Sequence, residues 1–136
     1  MDSVRLRRLA IAAVVALGAL VSAGSAQACS CAQIAPEDSL RQADAAIVGK
    51  LIEVIPRGEL RADYRYRVQH VYKSGRGIRR GATISVRSAT DSAACGLPEE
   101  TDRRYGVLLS RAEGRWTSGL CGVLSPELMR RASCAS

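Results

Sequence analysis

The chain has 136 residues, is 47% hydrophobic and carries a formal net charge of +7. Its basic side chains form short pairs spread along the sequence, which leaves an anionic component of the cell envelope as a candidate partner. Aromatic residues make up only 4% of the chain, with no phenylalanine, so there is little material for a base-stacking surface. We therefore expect no nucleic-acid partner.

Residues 1–28 are predicted to be a secretory signal peptide. Three arginines precede an uncharged apolar run over residues 9–21, and small residues follow it. Ala26 and Ala28 occupy the A-x-A positions of a cleavage site, so the cut is expected before Cys29. The strongly apolar run is shorter than a membrane span requires. The mature protein is therefore expected to be secreted, either extracellular or in the cell envelope.

A lipoprotein signal is the alternative, because it also makes a cysteine the first residue. In that case the Cys29 thiol carries a lipid and the protein lies on a membrane. Gln27 fits poorly within such a signal. A membrane location is expected only if Cys29 is lipidated.

All five cysteines follow the predicted cleavage point: Cys29, Cys31, Cys95, Cys121 and Cys134. In a small exported domain this number predicts two disulfides and one thiol left over, which allows 15 arrangements. A bridge from Cys29 to Cys31 would close a very tight ring, so each is expected to reach a distant partner.

Five segments have the composition of strands, and two short helices flank them. The first helix is expected over residues 35–45, with Pro36 near its start, and the second after an N-cap at Ser125. The strands are expected over residues 45–55, 60–72, 82–88, 104–110 and 115–120.

The second strand alternates cleanly between two faces. Tyr64, Tyr66 and Val68 share one face, which predicts a half-buried antiparallel strand. Val71 breaks this alternation, so a bulge is expected near His70.

The order of elements predicts a mainly β fold for residues 29–136, a small five-stranded barrel of the oligonucleotide/oligosaccharide-binding (OB) type with short flanking helices. A β-sandwich is the alternative, but seven strands are hard to find in this length.

Several short motifs together resemble the netrin-like module. They are "CSCA" at residues 29–32, "QADAAIVGKLIEV" at 42–54, "VYKSG" at 71–75, "AACG" at 93–96 and "GLC" at 119–121. Within that module the chain is most similar to the N-terminal domain of the tissue inhibitors of metalloproteinases. It departs from them in lacking the third bridge of the animal domain and in having Gln33 after Ala32, where an early proline is usual.

The resemblance implies disulfides Cys29–Cys95 and Cys31–Cys121. It also implies an inhibitory ridge, in which the amino nitrogen and carbonyl oxygen of Cys29 bind the zinc of an extracellular metalloprotease. Further residues of that ridge are Ser30, Cys31, Ala32, Ala93, Ala94 and Cys95. The protein itself needs no cofactor and no metal of its own under this interpretation.

The other interpretation is an extracellular or envelope-associated binding module without inhibitory activity, in which the two N-terminal cysteines only staple the terminus. The sequence shows no paired carboxylates, no nucleophile with a base and no phosphate loop, so an enzyme is not expected. His70, the single histidine, is expected to be structural.

Overall fold

A computed structural model describes residues 29–135 of the chain. The predicted signal peptide, residues 1–28, lies outside the described residues. The elements, numbered in chain order, are α1 Pro36–Gln42, β1 Ala45–Pro56, β2 Arg61–Lys73, β3 Thr83–Ala89, β4 Arg104–Ala112, β5 Arg115–Thr117, a 3₁₀ turn Leu120–Gly122, β6 Val123–Leu124 and α2 Pro126–Cys134.

Five of the strands close into a barrel. The order of neighbours is β1-β2-β3-β5-β4, and β4 pairs again with β1 to complete the ring. All of these pairings are antiparallel except β3 with β5, which is parallel. The predicted five-stranded OB-like barrel with two short helices is thus confirmed, and closure leaves few unpaired strand edges.

Strand β2 follows the predicted alternation. Tyr64, Tyr66 and Val68 are almost completely buried inside the barrel, while the arginines between them are exposed. The pairing with β1 skips from Val68 to His70, so Gln69 is an extra residue and the expected bulge lies beside His70.

The predicted fifth strand is too long. Residues 115–120 were expected to be extended, but β5 ends at Thr117 and the chain turns away from the sheet. The Ser118 hydroxyl donates a hydrogen bond to the Leu108 carbonyl at 2.7 Å, and the Leu120 amide donates to the Cys95 carbonyl at 2.8 Å. These hydrogen bonds take the place of strand pairing after Thr117. The two-residue strand β6 follows, and the sequence did not indicate it.

The first helix is shorter than the sequence indicates, because the chain becomes extended at Ala43. Asp44 then accepts a hydrogen bond from the Arg111 amide at 2.7 Å, which fixes the entry into β1. In the second helix Ser125 is the N-cap as predicted, since its hydroxyl accepts from the Leu128 amide at 3.1 Å.

Two apolar clusters stabilise the fold. The larger fills the barrel and contains Tyr64, Tyr66, Val107 and Trp116. The smaller lies outside the barrel wall, where Met129 and Leu40 of the two helices cover one side of β1 and β4. The helices therefore cover part of the outer wall of the barrel.

Asp63 is a buried carboxylate on β2 that receives three hydrogen bonds from arginines. Arg87 donates two of them, at 2.8 and 3.1 Å, and Arg57 donates the third at 2.7 Å. The hydrogen bonds from Arg87 are the largest cause that holds the pKa of Asp63 below its ordinary value, against the opposing effect of burial. This network connects β2 to β3 and to the short β1–β2 hairpin.

Two neighbouring tyrosines provide a test of the barrel interior. Tyr64 donates a hydrogen bond to the Ala89 carbonyl at 3.1 Å, whereas the buried hydroxyl of Tyr66 has no partner among the described residues. We expect Tyr64→Phe to lower the free energy of unfolding by about 1 kcal/mol and Tyr66→Phe to leave it unchanged or raise it. Urea denaturation of both variants measures the difference. An equal loss in the two variants would contradict this description of the core.

Candidate functional site

Two disulfides join three segments of the chain at one place. Cys29 is bonded to Cys95 and Cys31 to Cys121, each pair with a Cα–Cα distance of 5.3 Å. These are the pairs that the resemblance implies. The sulfur atoms of Cys29, Cys95 and Cys121 all lie within 4.8 Å of one another, so the two bridges pack side by side.

The disulfides determine where the N-terminal segment, residues 29–34, lies. Within residues 29–135 its only backbone hydrogen bond is internal, from the Ile34 amide to the Ala32 carbonyl at 2.9 Å. The bridges span 66 and 90 residues, for which the chain-entropy model gives about 4 kcal/mol each. The position of Cys29 therefore depends on covalent bonds and not on a strand ladder.

The loop that receives Cys29 is a compact turn after β3. Asp91 accepts a hydrogen bond from the Ala94 amide at 2.6 Å, and its carbonyl accepts from the Gly96 amide at 2.8 Å. Cys95 has φ 59°, a left-handed conformation that is uncommon for a side chain other than glycine. The turn thus presents Ala93 and Ala94 to solvent and directs Cys95 towards the N-terminal segment.

Both ends of this loop are fixed to the barrel. The Thr90 amide and hydroxyl donate to carbonyls of the β1–β2 hairpin, at 3.2 and 3.1 Å. At the other end Leu97 is buried, and its amide donates to the Ser88 hydroxyl at 3.2 Å. The anchor for Cys29 is therefore held by the core.

A third segment, residues 119–121, completes the surface; the resemblance implied its Cys121 as the partner of Cys31, but the sequence did not indicate Leu120 as part of the site. Its Leu120 is 39% exposed and is joined through its amide to the Cys95 carbonyl. Ile34 in the N-terminal segment is also exposed, at 47%. The implied Cys31–Cys121 disulfide was the available signal for Leu120, because Leu120 directly precedes Cys121.

We call the whole surface the ridge. All of its members are exposed or half-buried. They are the residues expected from the sequence, Cys29, Ser30, Cys31, Ala32, Ala93, Ala94 and Cys95, together with Ile34 and Leu120, which the structure adds. Apart from the disulfides these side chains are small or apolar, and none is a general acid or base. His70 lies elsewhere, exposed on β2.

The ridge side chains do not form a metal site. Three cysteine sulfurs lie close together, but all three are in disulfides and are not the thiolates that bind zinc. Apart from the Ser30 hydroxyl, the remaining donor atoms of the ridge belong to the backbone.

Two observations bear on the compartment. Disulfides in a small protein are compatible with an oxidising environment outside the cytosol. No helix within residues 29–135 has the length and apolar character needed to cross a bilayer. The fifth cysteine, Cys134, is exposed at the end of α2 and forms no disulfide with the other described cysteines.

Comparison of the chain with protein-family models gives no match, and comparison with curated protein sequences gives none either.

Gly96 is a test of how the ridge is held. A Cβ at this position would lie 2.5 Å from the Ala89 carbonyl oxygen and 2.8 Å from that of Asp91, closer than packing allows. We expect Gly96→Ala to lower the free energy of unfolding by about 2 kcal/mol, because the turn must open. Thermal denaturation measures this loss. Ala93→Gly, on the exposed part of the same loop, is the control and should cost under ~1 kcal/mol; equal effects would show that the turn is not tightly packed.

Proposed function

We propose that the chain is an exported netrin-like protein that inhibits zinc metalloproteases with its own N-terminus. The α-amino nitrogen and carbonyl oxygen of Cys29 bind the zinc of the target enzyme. The observation that carries the proposal is the covalent attachment of Cys29 to the exposed Cys95 loop, beside the second bridge from Cys31 to Cys121.

The chemistry requires that the mature chain begin at Cys29. A catalytic zinc has three protein ligands and an open position that water normally fills. The amine and carbonyl of one residue form a five-membered chelate that can displace this water. An α-amino group has an ordinary pKa near 7.7–8.0, so near neutral pH it becomes a neutral ligand at a modest free-energy cost.

The two disulfides supply preorganisation. A free hexapeptide with the same sequence would lose most of its conformational freedom on entering a cleft, and this entropy opposes binding. Here the bridges restrict residues 29–31 before the target is met. The inhibitor therefore binds with a terminus that is already largely ordered.

The shape and polarity of the ridge suit an active-site cleft. Serine and alanine side chains let the backbone approach closely, and the exposed side chains of Ile34 and Leu120 add apolar surface. Ser30 follows the chelating residue directly, so its side chain enters the pocket that normally takes the substrate residue after the scissile bond. A serine leaves a deep apolar pocket mostly unfilled, which favours targets with a shallow pocket.

Adding one alanine before Cys29 tests the chelation. The extension removes the amine from the chelate but changes no residue of the barrel, so we expect inhibition of a sensitive zinc protease to weaken at least about 100-fold, or ~2.7 kcal/mol. The measurement is the inhibition constant of both forms against a panel of zinc metalloproteases. Matching thermal midpoints would show that the extended form is folded. Equal inhibition by the two forms would rule out a role for the terminal amine.

Replacing Ser30 tests the orientation of the ridge. We expect Ser30→Leu to strengthen inhibition of proteases with a deep apolar pocket by roughly tenfold, because burial of a leucine side chain contributes about 1.5–3 kcal/mol. Ser110→Leu, on an exposed position of β4 outside the ridge, is the matched control. If both variants change the inhibition constant alike, Ser30 does not enter the pocket.

A further inference from the structure

A second surface, on the outer wall of the barrel, carries three arginines in close proximity. Arg67 of β2 lies opposite Lys50 of β1, and Lys50 lies opposite Arg104 of β4. Directly paired residues point to the same face of a sheet, and neighbouring strands are about 4.8 Å apart. The backbones of Arg67 and Arg104 are therefore about 10 Å apart, on one outward-facing row.

The loop before β3 adds a third arginine. The Gly81 amide donates a hydrogen bond to the Val68 carbonyl at 2.8 Å, which holds Arg80 against β2. Arg67, Arg80 and Arg104 together line an open hollow of about 370 Å³, with His70 and Gln69 beside them. All three arginines thus line one volume.

These arginines lack compensating carboxylates. Lys50, in the middle of the row, pairs with Asp102 at 2.8 Å. Within residues 29–135, none of the three arginines has an acidic partner within 4.0 Å. Like charges directly opposite each other on neighbouring strands destabilise a sheet. A bound anion would reduce this repulsion between the arginines.

A second hollow continues the first. It has a volume of about 430 Å³, shares His70 and Arg104 with the first hollow, and extends to Tyr72 and Ser125. Its other arginine, Arg130, is paired with Glu127. The continuation therefore adds hydroxyl groups and one aromatic ring but little net charge.

We propose that this surface, the cationic groove, binds a linear carbohydrate chain bearing sulfate, phosphate or carboxylate groups. Guanidinium groups donate paired hydrogen bonds to such oxyanions, and this is the chemistry of the first hollow. The hydroxyls and the ring of the second hollow suit a neutral sugar unit. Single-stranded nucleic acid uses several successive aromatic rings, whereas this groove offers only the neighbouring rings of His70 and Tyr72.

The cationic groove is separate from the ridge. Thr83, at the start of β3, is paired with Arg67, whereas the Cys95 loop follows Ala89 at the other end of the same strand. Six residue steps along a strand span about 20 Å. Binding at the groove is therefore independent of the proposed protease inhibition, and the alanine-extended form should bind carbohydrate as the native form does.

The test is the affinity of the exported protein for a sulfated dextran oligosaccharide, measured by calorimetry beside the unsulfated oligosaccharide. We expect binding that requires the sulfate groups and weakens with salt. Arg67→Gln/Arg104→Gln should reduce the affinity at least about tenfold. Arg61→Gln/Arg115→Gln removes the same charge from two other exposed arginines and should reduce it less than about threefold.

Arg80→Gln, a single change in a loop, should also weaken binding. This variant tests the groove if the double variant does not fold. Equal losses of affinity in the two double variants would show that binding depends only on the net charge of the protein, and would overturn the site. Absence of binding by the native protein would overturn it as well. Tighter binding to vesicles of phosphatidylglycerol or to a single-stranded oligonucleotide would assign the groove to another partner and contradict the proposal.

Discussion

The covalent connection of the N-terminal segment to the barrel is the constraint on which the candidate site depends. Residues 29–34 contribute no strand and make no backbone hydrogen bond to the rest of the described chain. Two adjacent disulfides alone place Cys29 against the Cys95 loop and Cys31 against Cys121. A segment held in this way is exposed and yet restricted, and this combination is what the proposed binding through an amine at Cys29 would require.

The barrel fixes the conformation of the loop to which Cys29 is bonded. The Cys95 loop begins at the end of β3 and returns to the core at Leu97, so its conformation is determined by packing and by the tight fit around Gly96. The wall of the same barrel aligns Arg67, Lys50 and Arg104 through strand register. One closed sheet thus presents two chemically different surfaces, one small and apolar and the other strongly cationic.

Much of the fold could be predicted from the sequence, because it is encoded locally. The alternation of Tyr64 and Tyr66 showed the buried face of β2, and Ser125 before proline showed the start of α2. The end of β5 could not be read in this way, because the bond from Leu120 to the Cys95 carbonyl connects residues distant in sequence. The three arginines of the groove are similarly far apart in sequence, and only strand register brings them together.

The state of Cys29 in the native protein is the most direct test of the account. Mass spectrometry of the intact protein and of its unreduced proteolytic fragments would identify the first residue, any modification of it and its disulfide partner. The account predicts a chain that begins at Cys29 with a free α-amine and is bonded to Cys95. A chain that begins elsewhere, an acylated or lipidated Cys29, or a different partner for its sulfur would contradict it.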